Sequence, residues 1–336
     1  MKKTLLNRFR QSLIQRHNSL IDWFKTASEN DKIRVYGFSV GNIDNVVSEI
    51  EEAIDCIDHE IFGKCEKCEG EVEPERLEID YKTSVCLSHY SDAQLRALEN
   101  DLELAGKVQK NLLPSATPSL PGIQIASHAE PAQIVGGDYF DFFSHRNGTQ
   151  GVAIADVMGK GLPASMLMSN LQASLRILGP DKEHLHGIAT HLNELFRHNL
   201  KLIRFITMFL LAIDDKSKHF HYANAGHNPP LFYTRASDSI RWLKPTGPAI
   251  GLMPEASFKS EQVSFAAGDL LVMYTDGVVE ARNAQGEEFD EDRLSIFTRQ
   301  NSEKSAEDFL EALRKEVADF CDGDFQDDFT LLVVRF

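Results

Sequence analysis

The sequence predicts an α+β protein: antiparallel sheets fill the C-terminal two thirds, behind a smaller helical N-terminal region. Three observations predict it. After Gly122, short strand-like runs follow one another in hairpin-like succession while helix-like stretches fall in runs, which favours antiparallel sheets over a doubly wound parallel one. Pro114, Pro118 and Pro121 close a long helical pattern and mark a boundary. Ahead of them, apolar residues keep helical spacing except in one short stretch rich in Cys, Glu and Gly. A chain of 336 residues suits two domains.

The first helix is expected over residues 1–28, with Leu5, Leu6, Phe9, Leu13, Ile14, Leu20, Trp23 and Phe24 at helical spacing. A polar stretch from Ser28 to Gly41 separates it from a second, from about Ile43 to Ile61, carrying Val46, Val47, Ile50, Ile54 and Ile57 on one face. Two helices and a short connection make an antiparallel hairpin. Residues 91–113 are helical again, through Leu95, Leu98, Leu102, Ala105 and Leu112, with Ser91-Asp92 as the N-cap. They could equally pack on their own domain or form a short coiled coil.

Beyond the prolines the expected strands are Ile123–His128, Tyr139–Ser144, Gly151–Asp156, Phe205–Ile213, His219–Asn224, Leu231–Tyr233, Phe258–Phe265, Asp269–Tyr274 and Phe329–Phe336. The expected helices are Pro163–Leu178, His184–Leu200 and Ser305–Phe320. The domain reading is therefore 1–90, a linker at 91–113, and 114–336.

Apolar residues make up 42% and charged residues 26%, ordinary for a globular protein. The net charge of -16 argues against nucleic acid as a partner held by a basic field. No run approaches the apolar length of a membrane span, and the N-terminus reads as an amphipathic helix rather than a signal peptide. The 5 cysteines, three of them clustered, fit a reducing cytoplasm better than a disulfide framework.

Four places set Asp beside Gly or another Asp at the end of a strand-like run. They are Gly136-Gly137-Asp138 (with Asp141 following), Asp156-Val157-Met158-Gly159-Lys160-Gly161, Thr275-Asp276-Gly277, and Asp327-Asp328. Carboxylate oxygens suit Mg2+ and Mn2+. Strand ends hold them rigidly, and neighbouring glycines allow close backbone approach. A single Asp-Gly is most often a turn; four flanking apolar strands point to metal-assisted chemistry on a phosphate ester.

GGDYFD, ADVMGKG, NAGHNPP, YTDGVVEARN and DDFT, in this order, resemble the SpoIIE/RsbU-type branch of the PPM (PP2C-like) serine/threonine phosphatases, from about residue 105 onward. The resemblance implies an α/β/β/α sandwich of two antiparallel sheets with two Mn2+ or Mg2+ in a cleft at one end. It implies that Asp156 bridges both metals and that the Val157 carbonyl binds one. Asp276 and Asp327 match the other ligands, and Asp138 a further acidic position acting directly or through water. Asp328 stands where relatives often carry Asn and ranks below Asp327. Attack by water without a phosphoenzyme agrees with the lack of a Ser/His/Asp or Cys/Arg set. Met158 occupies the place of a histidine that serves as candidate acid in eukaryotic relatives, and no basic phosphate clamp is evident.

Three further features read as structural. His227 in NAGHNPP orders a turn. Gly159-Lys160-Gly161 lacks the full phosphate-loop spacing. Met158, Met166 and Met168 read as core packing.

Cys65-x-x-Cys68 and Cys86-x-x-His89 offer four soft ligands for a closed, structural Zn2+ site. Their surroundings, about residues 45–92, resemble the zinc finger of the DksA/TraR family, with His89 where four cysteines are usual. The hairpin then matches that family's coiled coil, and its tip near Glu29 and Asp31 would be the part that meets RNA polymerase. Cys56 and Cys321 lie outside the pattern, as buried or bystander thiols.

The leading functional reading is a metal-dependent protein serine/threonine phosphatase. Its implied substrate is a phosphorylated STAS-domain anti-sigma-factor antagonist. The N-terminal module would regulate it through residues 91–113, where a homodimer contact also belongs. The rival is a non-catalytic, DksA-like RNA polymerase-binding regulator that uses the phosphatase domain for docking. A third is hydrolysis of a small phosphate ester.

Overall fold

The computed structural model describes residues 3–26, 41–146, 148–181, 184–197, 205–253 and 255–336. It divides into two compact units, Met1–Glu99 and Asn100–Phe336. The expected hairpin tip with Glu29 and Asp31, and the side chains of Trp23 and Phe24, lie outside the described residues.

In the first unit, α1 (Lys3–Thr26) packs on α2 (Gly41–Asp58). Phe9 meets Phe62, Arg10 binds Asp58 and His17 binds Glu51, so the two helices run antiparallel. Their buried face joins Phe9, Leu13, Ile50, Ala53 and Ile57 to Phe62, Cys65, Val72, Leu77 and Cys86. A bridge between Lys64 and Glu71 closes the first cysteine loop. A short helix absent from the sequence reading, α3 (Pro74–Ile79), leads to the second pair of ligands. Glu73 and Arg76 brace that pair. Glu73 accepts from the Leu87 N–H at 2.9 Å, and Arg76 donates to the Val85 carbonyl at 2.7 Å and the Tyr90 hydroxyl at 3.0 Å.

Helix α4 (Asp92–Leu112) starts as its sequence predicts. Ser91 Oγ accepts from the Gln94 N–H, and Gln94 Oε1 accepts from the Ser91 N–H, a reciprocal capping box.

The second unit contains β1 (Gln124–Glu130), β2 (Tyr139–Ser144), β3 (Gln150–Val157), α5 (Gly161–Asp181), α6 (Leu185–Arg197), β4 (Ile206–Asp214), β5 (His219–Ala225), β6 (Leu231–Thr234), β7 (Ser239–Trp242), β8 (Glu261–Ser264), β9 (Leu270–Tyr274), α7 (Asp276–Val279), α8 (Asp290–Asn301), α9 (Ala306–Phe320) and β10 (Phe329–Arg335). Two five-stranded sheets form, β1-β10-β9-β6-β7 and β2-β3-β4-β5-β8. Every pairing within them is antiparallel.

Strand alternation builds three layers of core. Val152, Ile154, Phe209 and Leu211 face Leu271, Met273, Leu332 and Val334 between the sheets. On the opposite face of β3, Ala153 and Ala155 pack with Met168, Leu171 and Leu175 of α5. Val272, Leu331 and Val333 pack with Leu294, Phe297, Phe309 and Leu313 of α8 and α9. The result is the expected α/β/β/α sandwich.

Three departures from the expected elements have local causes. Strand β7 follows a turn in which Asp238 takes a left-handed φ of 47°, and it alternates only weakly in burial. Helix α8 is so polar that only Leu294, Phe297 and Thr298 are buried, which hides its helical period. Strand β8 is shorter than the apolar run that predicts it, because Phe258 packs in a loop against Gly247 rather than pairing.

Candidate metal and catalytic centre

The sandwich brings all four aspartate motifs to one end. Asp138 immediately precedes β2, and Asp156 lies at the end of β3, where the antiparallel register pairs Tyr139 with Ala155. Asp276 follows β9 and Asp327-Asp328 precede β10, adjacent because Tyr274 pairs with Leu331. Two bonds join the ends of the two sheets. Thr275 Oγ1 donates to Asp138 Oδ2 at 2.7 Å, and the Gly137 N–H donates to Asp328 Oδ2 at 2.6 Å.

Glycines make this convergence sterically possible. A Cβ on Gly136 would lie 2.3 Å from Asp328 Oδ2, one on Gly137 2.7 Å from the Val157 carbonyl, and one on Gly277 2.1 Å from the Asp328 carbonyl. Any side chain at these positions would push the aspartates apart.

The aspartates feel one another. Burial, and then the charges of Asp276, Asp327 and Asp328, push the Asp156 carboxyl up to about 7. Burial and Asp327 push Asp276 up to about 6. Asp138 is raised well above the carboxylate range by burial, then by Asp156 and Asp328. Carboxylates crowded and desolvated in this way are only partly compensated by the nearby Lys160. Hard oxygen donors in a glycine-made cradle fit divalent cations such as Mn2+ or Mg2+. Asp156, Asp276 and Asp327 are the residues suited to hold them.

The two adjacent aspartates differ. Asp328 is buried and accepts from the Ala132 N–H at 2.9 Å as well as from Gly137, so both its oxygens order the 132–137 segment. Asp327 is 40% exposed, and its Oδ2 lies 2.9 Å from Lys160 Nζ. That lysine also donates to the Gln326 carbonyl at 2.7 Å. In the sequence Lys160 stands out only as part of an incomplete phosphate loop, and no basic group at the site is evident. The lysine's place immediately before α5, in the Asp156 motif, is the available signal.

Other residues fall as follows. Val157 is buried at the end of β3, with its N–H on the Gly137 carbonyl at 3.4 Å. Asp141 is turned away from the cluster, bound by the Tyr139 hydroxyl at 2.7 Å and Arg176 Nε at 2.9 Å. His227 is buried, and burial pushes its pKa down to about 4, so it is neutral. Its Nδ1 pairs with Thr207 Oγ1 at 2.8 Å, and Asn224 ties its backbone, as expected of a turn-ordering residue. The expectation for the methionines needs correction. Met168 is buried, but Met166, near the start of α5, is 65% exposed, and Met158, in the turn before that helix, is 39% exposed.

In the first unit the ligand atoms of Cys65, Cys68, Cys86 and His89 all lie within 4.8 Å of one another. Burial would raise the Cys65 thiol, but backbone N–H groups of Cys86, Lys67 and Cys68 outweigh it and draw the pKa to about 6. Among the described residues no helix is long and apolar enough to cross a membrane.

The fold and the acidic end define a metal-dependent protein serine/threonine phosphatase of the PP2C-like (PPM) class. The family described as Stage II sporulation protein E (SpoIIE) matches residues 146–336, and the chain belongs to it. Phosphoserine phosphatase RsbU of Bacillus subtilis (strain 168) is 29% identical over 238 residues, covering 71% of this chain and 70% of RsbU. The SiaA-PP2C domain of Pseudomonas aeruginosa superposes with a TM-score of 0.64 at 21% identity, over 73% of this chain and 100% of that domain. The RsbU and RsbW domains of Rv1364c from Mycobacterium tuberculosis give 0.51 at 25% identity, over 63% of this chain and 59% of that one. Members of this family depend on Mn2+ or Mg2+.

The raised carboxyls make metal-free stability fall with pH. Asp156 and Asp276 bind protons more tightly folded than unfolded, so the fold gains from them at low pH. That gain is lost as pH rises from about 4, the unfolded value, through about 7. Zinc-loaded protein free of Mn2+ and Mg2+ should melt roughly 5 °C lower at pH 8 than at pH 5. Asp156→Asn should flatten the profile, and Mn2+ should raise the melting temperature more at pH 8 than at pH 5. Scanning calorimetry reads all three; an unchanged slope in Asp156→Asn would contradict the cluster's role.

Proposed function

We propose that this phosphatase removes phosphate from a phosphoserine or phosphothreonine on a STAS-type protein, under control of its N-terminal module. The observation that carries the reading is the convergence of Asp138, Asp156, Asp276, Asp327 and Asp328 from both sheets at one end, tied together by the Thr275–Asp138 and Gly137–Asp328 bonds. Asp156 is assigned the bridging role, Asp276 and Asp327 complete the metal site with the Val157 carbonyl, and Asp138 and Asp328 support it. Bound cations supply charge neutralisation for phosphoryl oxygens and activation of a water. The chain's own contribution is to hold the carboxylates at fixed strand ends and to offer Lys160 as a cation at the exposed edge. RsbU, a named phosphoserine phosphatase, supports a phosphoprotein substrate.

The four-ligand cluster at Cys65, Cys68, Cys86 and His89 is assigned one structural Zn2+, in a finger resembling those of the DksA/TraR family. This module senses or docks and acts on the phosphatase through α4. The exposed Leu104 and Val108 on that helix support a homodimer contact there.

Phosphorylated STAS protein and p-nitrophenyl phosphate separate this reading from small-ester hydrolysis. The protein substrate should give a kcat/KM about 100-fold or more above the small ester, because remote contacts contribute only with a protein. Equal values would overturn the substrate assignment.

A further inference from the structure

The most unusual polar group near the acidic cluster is on no strand and in none of the aspartate motifs. Gln109, on the last turns of α4, is buried at 8% exposure. Both ends of its amide are committed to one distant residue. Nε2 donates to the Gly136 carbonyl at 2.6 Å, and Oε1 accepts from the Gly136 N–H at 3.1 Å. A single backbone residue offering one donor and one acceptor fixes the orientation of the amide. The side chain pairs with Gly136 as a neighbouring strand would.

A second, independent feature brings the helix to this place. A Cβ on Gly106, one turn before Gln109, would lie 2.7 Å from the Ile134 carbonyl. Glycine in a helix interior costs about 1 kcal/mol relative to alanine. Here it allows the helix backbone to rest directly on residues 134–136.

The segment held in this way is the one that carries the metal-site aspartate. Its other side is bound by Asp328, through the Ala132 and Gly137 N–H groups. The Gly137 carbonyl accepts from Val157, next to Asp156, and the following residue is Asp138. Residues 132–137 therefore lie between two polar clamps, one on the helix and one on the metal-site turn.

We infer that Gln109 is a positioning residue for the metal site, fixing Gly136 so that Asp138 and Asp328 keep the spacing the cations require. The inference rests on the proposed assignment of those aspartates to the metal site. Its physical basis is that a buried hydrogen-bond pair is strongly missed when one partner is removed, because the Gly136 groups are then left unsatisfied. Loosening one clamp transfers freedom to the loop, and the loss appears first as metal affinity.

The test uses the full-length, zinc-loaded chain with Gln109→Met, which keeps the side-chain length but removes both bonds. Mn2+ dissociation constants are read from the spin-resonance signal of free Mn2+, and amide exchange is followed at Gly136 and in β3 and β4. The expected result is a dissociation constant raised about tenfold and at least tenfold faster exchange at Gly136. Exchange in β3 and β4 should be unchanged, as should KM for p-nitrophenyl phosphate at saturating Mn2+. Gly106→Ala keeps Gln109, favours the helix and lifts it from Ile134, so it should weaken Mn2+ in the same direction; it decides the matter if Gln109→Met does not fold. Mn2+ affinity within twofold of wild type in the folded variant, or loss of protection spread equally over β3 and β4, would overturn the inference. Asp156→Ala separates the two levels. If it keeps wild-type Mn2+ affinity, the metal assignment itself fails; if it loses Mn2+ while Gln109→Met does not, only the role of Gln109 fails.

Discussion

Replacing Asp156 by alanine should lower kcat/KM for a phosphoserine protein roughly a thousandfold, about 4 kcal/mol of transition-state stabilisation. The metal-free fold should lose no heat stability. These outcomes separate because the same carboxylate does opposite things in the two states. It sits at the end of β3, paired in register with Thr207, and faces the charges of Asp276, Asp327 and Asp328. Without cations that arrangement is repulsive, so removing one carboxylate relieves the fold. With cations it would, on the proposed assignment, be their central attachment, and its loss would remove the charge stabilisation on which phosphoryl transfer depends. An alanine at an ordinary buried, bonded aspartate would do the reverse, destabilising the fold first. Steady-state kinetics, with calorimetry at pH 8 on zinc-loaded protein free of Mn2+ and Mg2+, distinguishes them. Activity within tenfold of wild type would contradict the bridging assignment.

Removing the zinc ligands should unfold the first unit and leave the second intact. The buried cluster of that unit is small, built around Phe9, Leu13, Ile50, Ile57, Phe62 and Leu77, with Cys65 and Cys86 part of it. Ion pairs such as Arg10 with Asp58 are exposed and add little. Helices in proteins draw most of their stability from packing an amphipathic face, so α1 and α2 depend on that cluster. A structural zinc site contributes on the order of 10 kcal/mol to folding, more than such a core can replace. Cys65→Ser, or a strong chelator, should therefore abolish amide protection across α1 and α2. Protection in β3, β4 and β10 should be unchanged, and the purified wild type should contain one zinc per chain. Protection in α1 and α2 surviving in zinc-free protein would refute a structural metal.

Much of this architecture was legible in the sequence because its signals are local. An aromatic-rich run of strand length marks β2 at Tyr139–Ser144, and proline punctuation ends α4. The aspartate motifs were legible for a related reason: a ligand at a strand end needs a glycine beside it, and the pair leaves a visible mark. What escaped depends on contacts between distant segments. Lys160 reads as an unremarkable surface lysine until the turn before β10 brings Asp327 beside it. Gln109 reads as one polar residue on an amphipathic helix until Gly136 is placed against it. The exposure of Met166 escaped because a helix start can present an apolar side chain to solvent without changing its period. Helix α8 escaped because its buried face is too narrow to mark one.

If strand-end aspartates hold divalent cations for phosphate hydrolysis, cation binding and turnover must fail together. The most direct measurement is a Mn2+ binding isotherm at pH 8 on zinc-loaded wild type, Asp156→Ala and Asp276→Ala, with phosphate release followed in the same samples. Wild type should bind saturably with release rising in step, and both should be lost in the two variants. Equal binding and equal release by all three proteins would contradict the metal assignment.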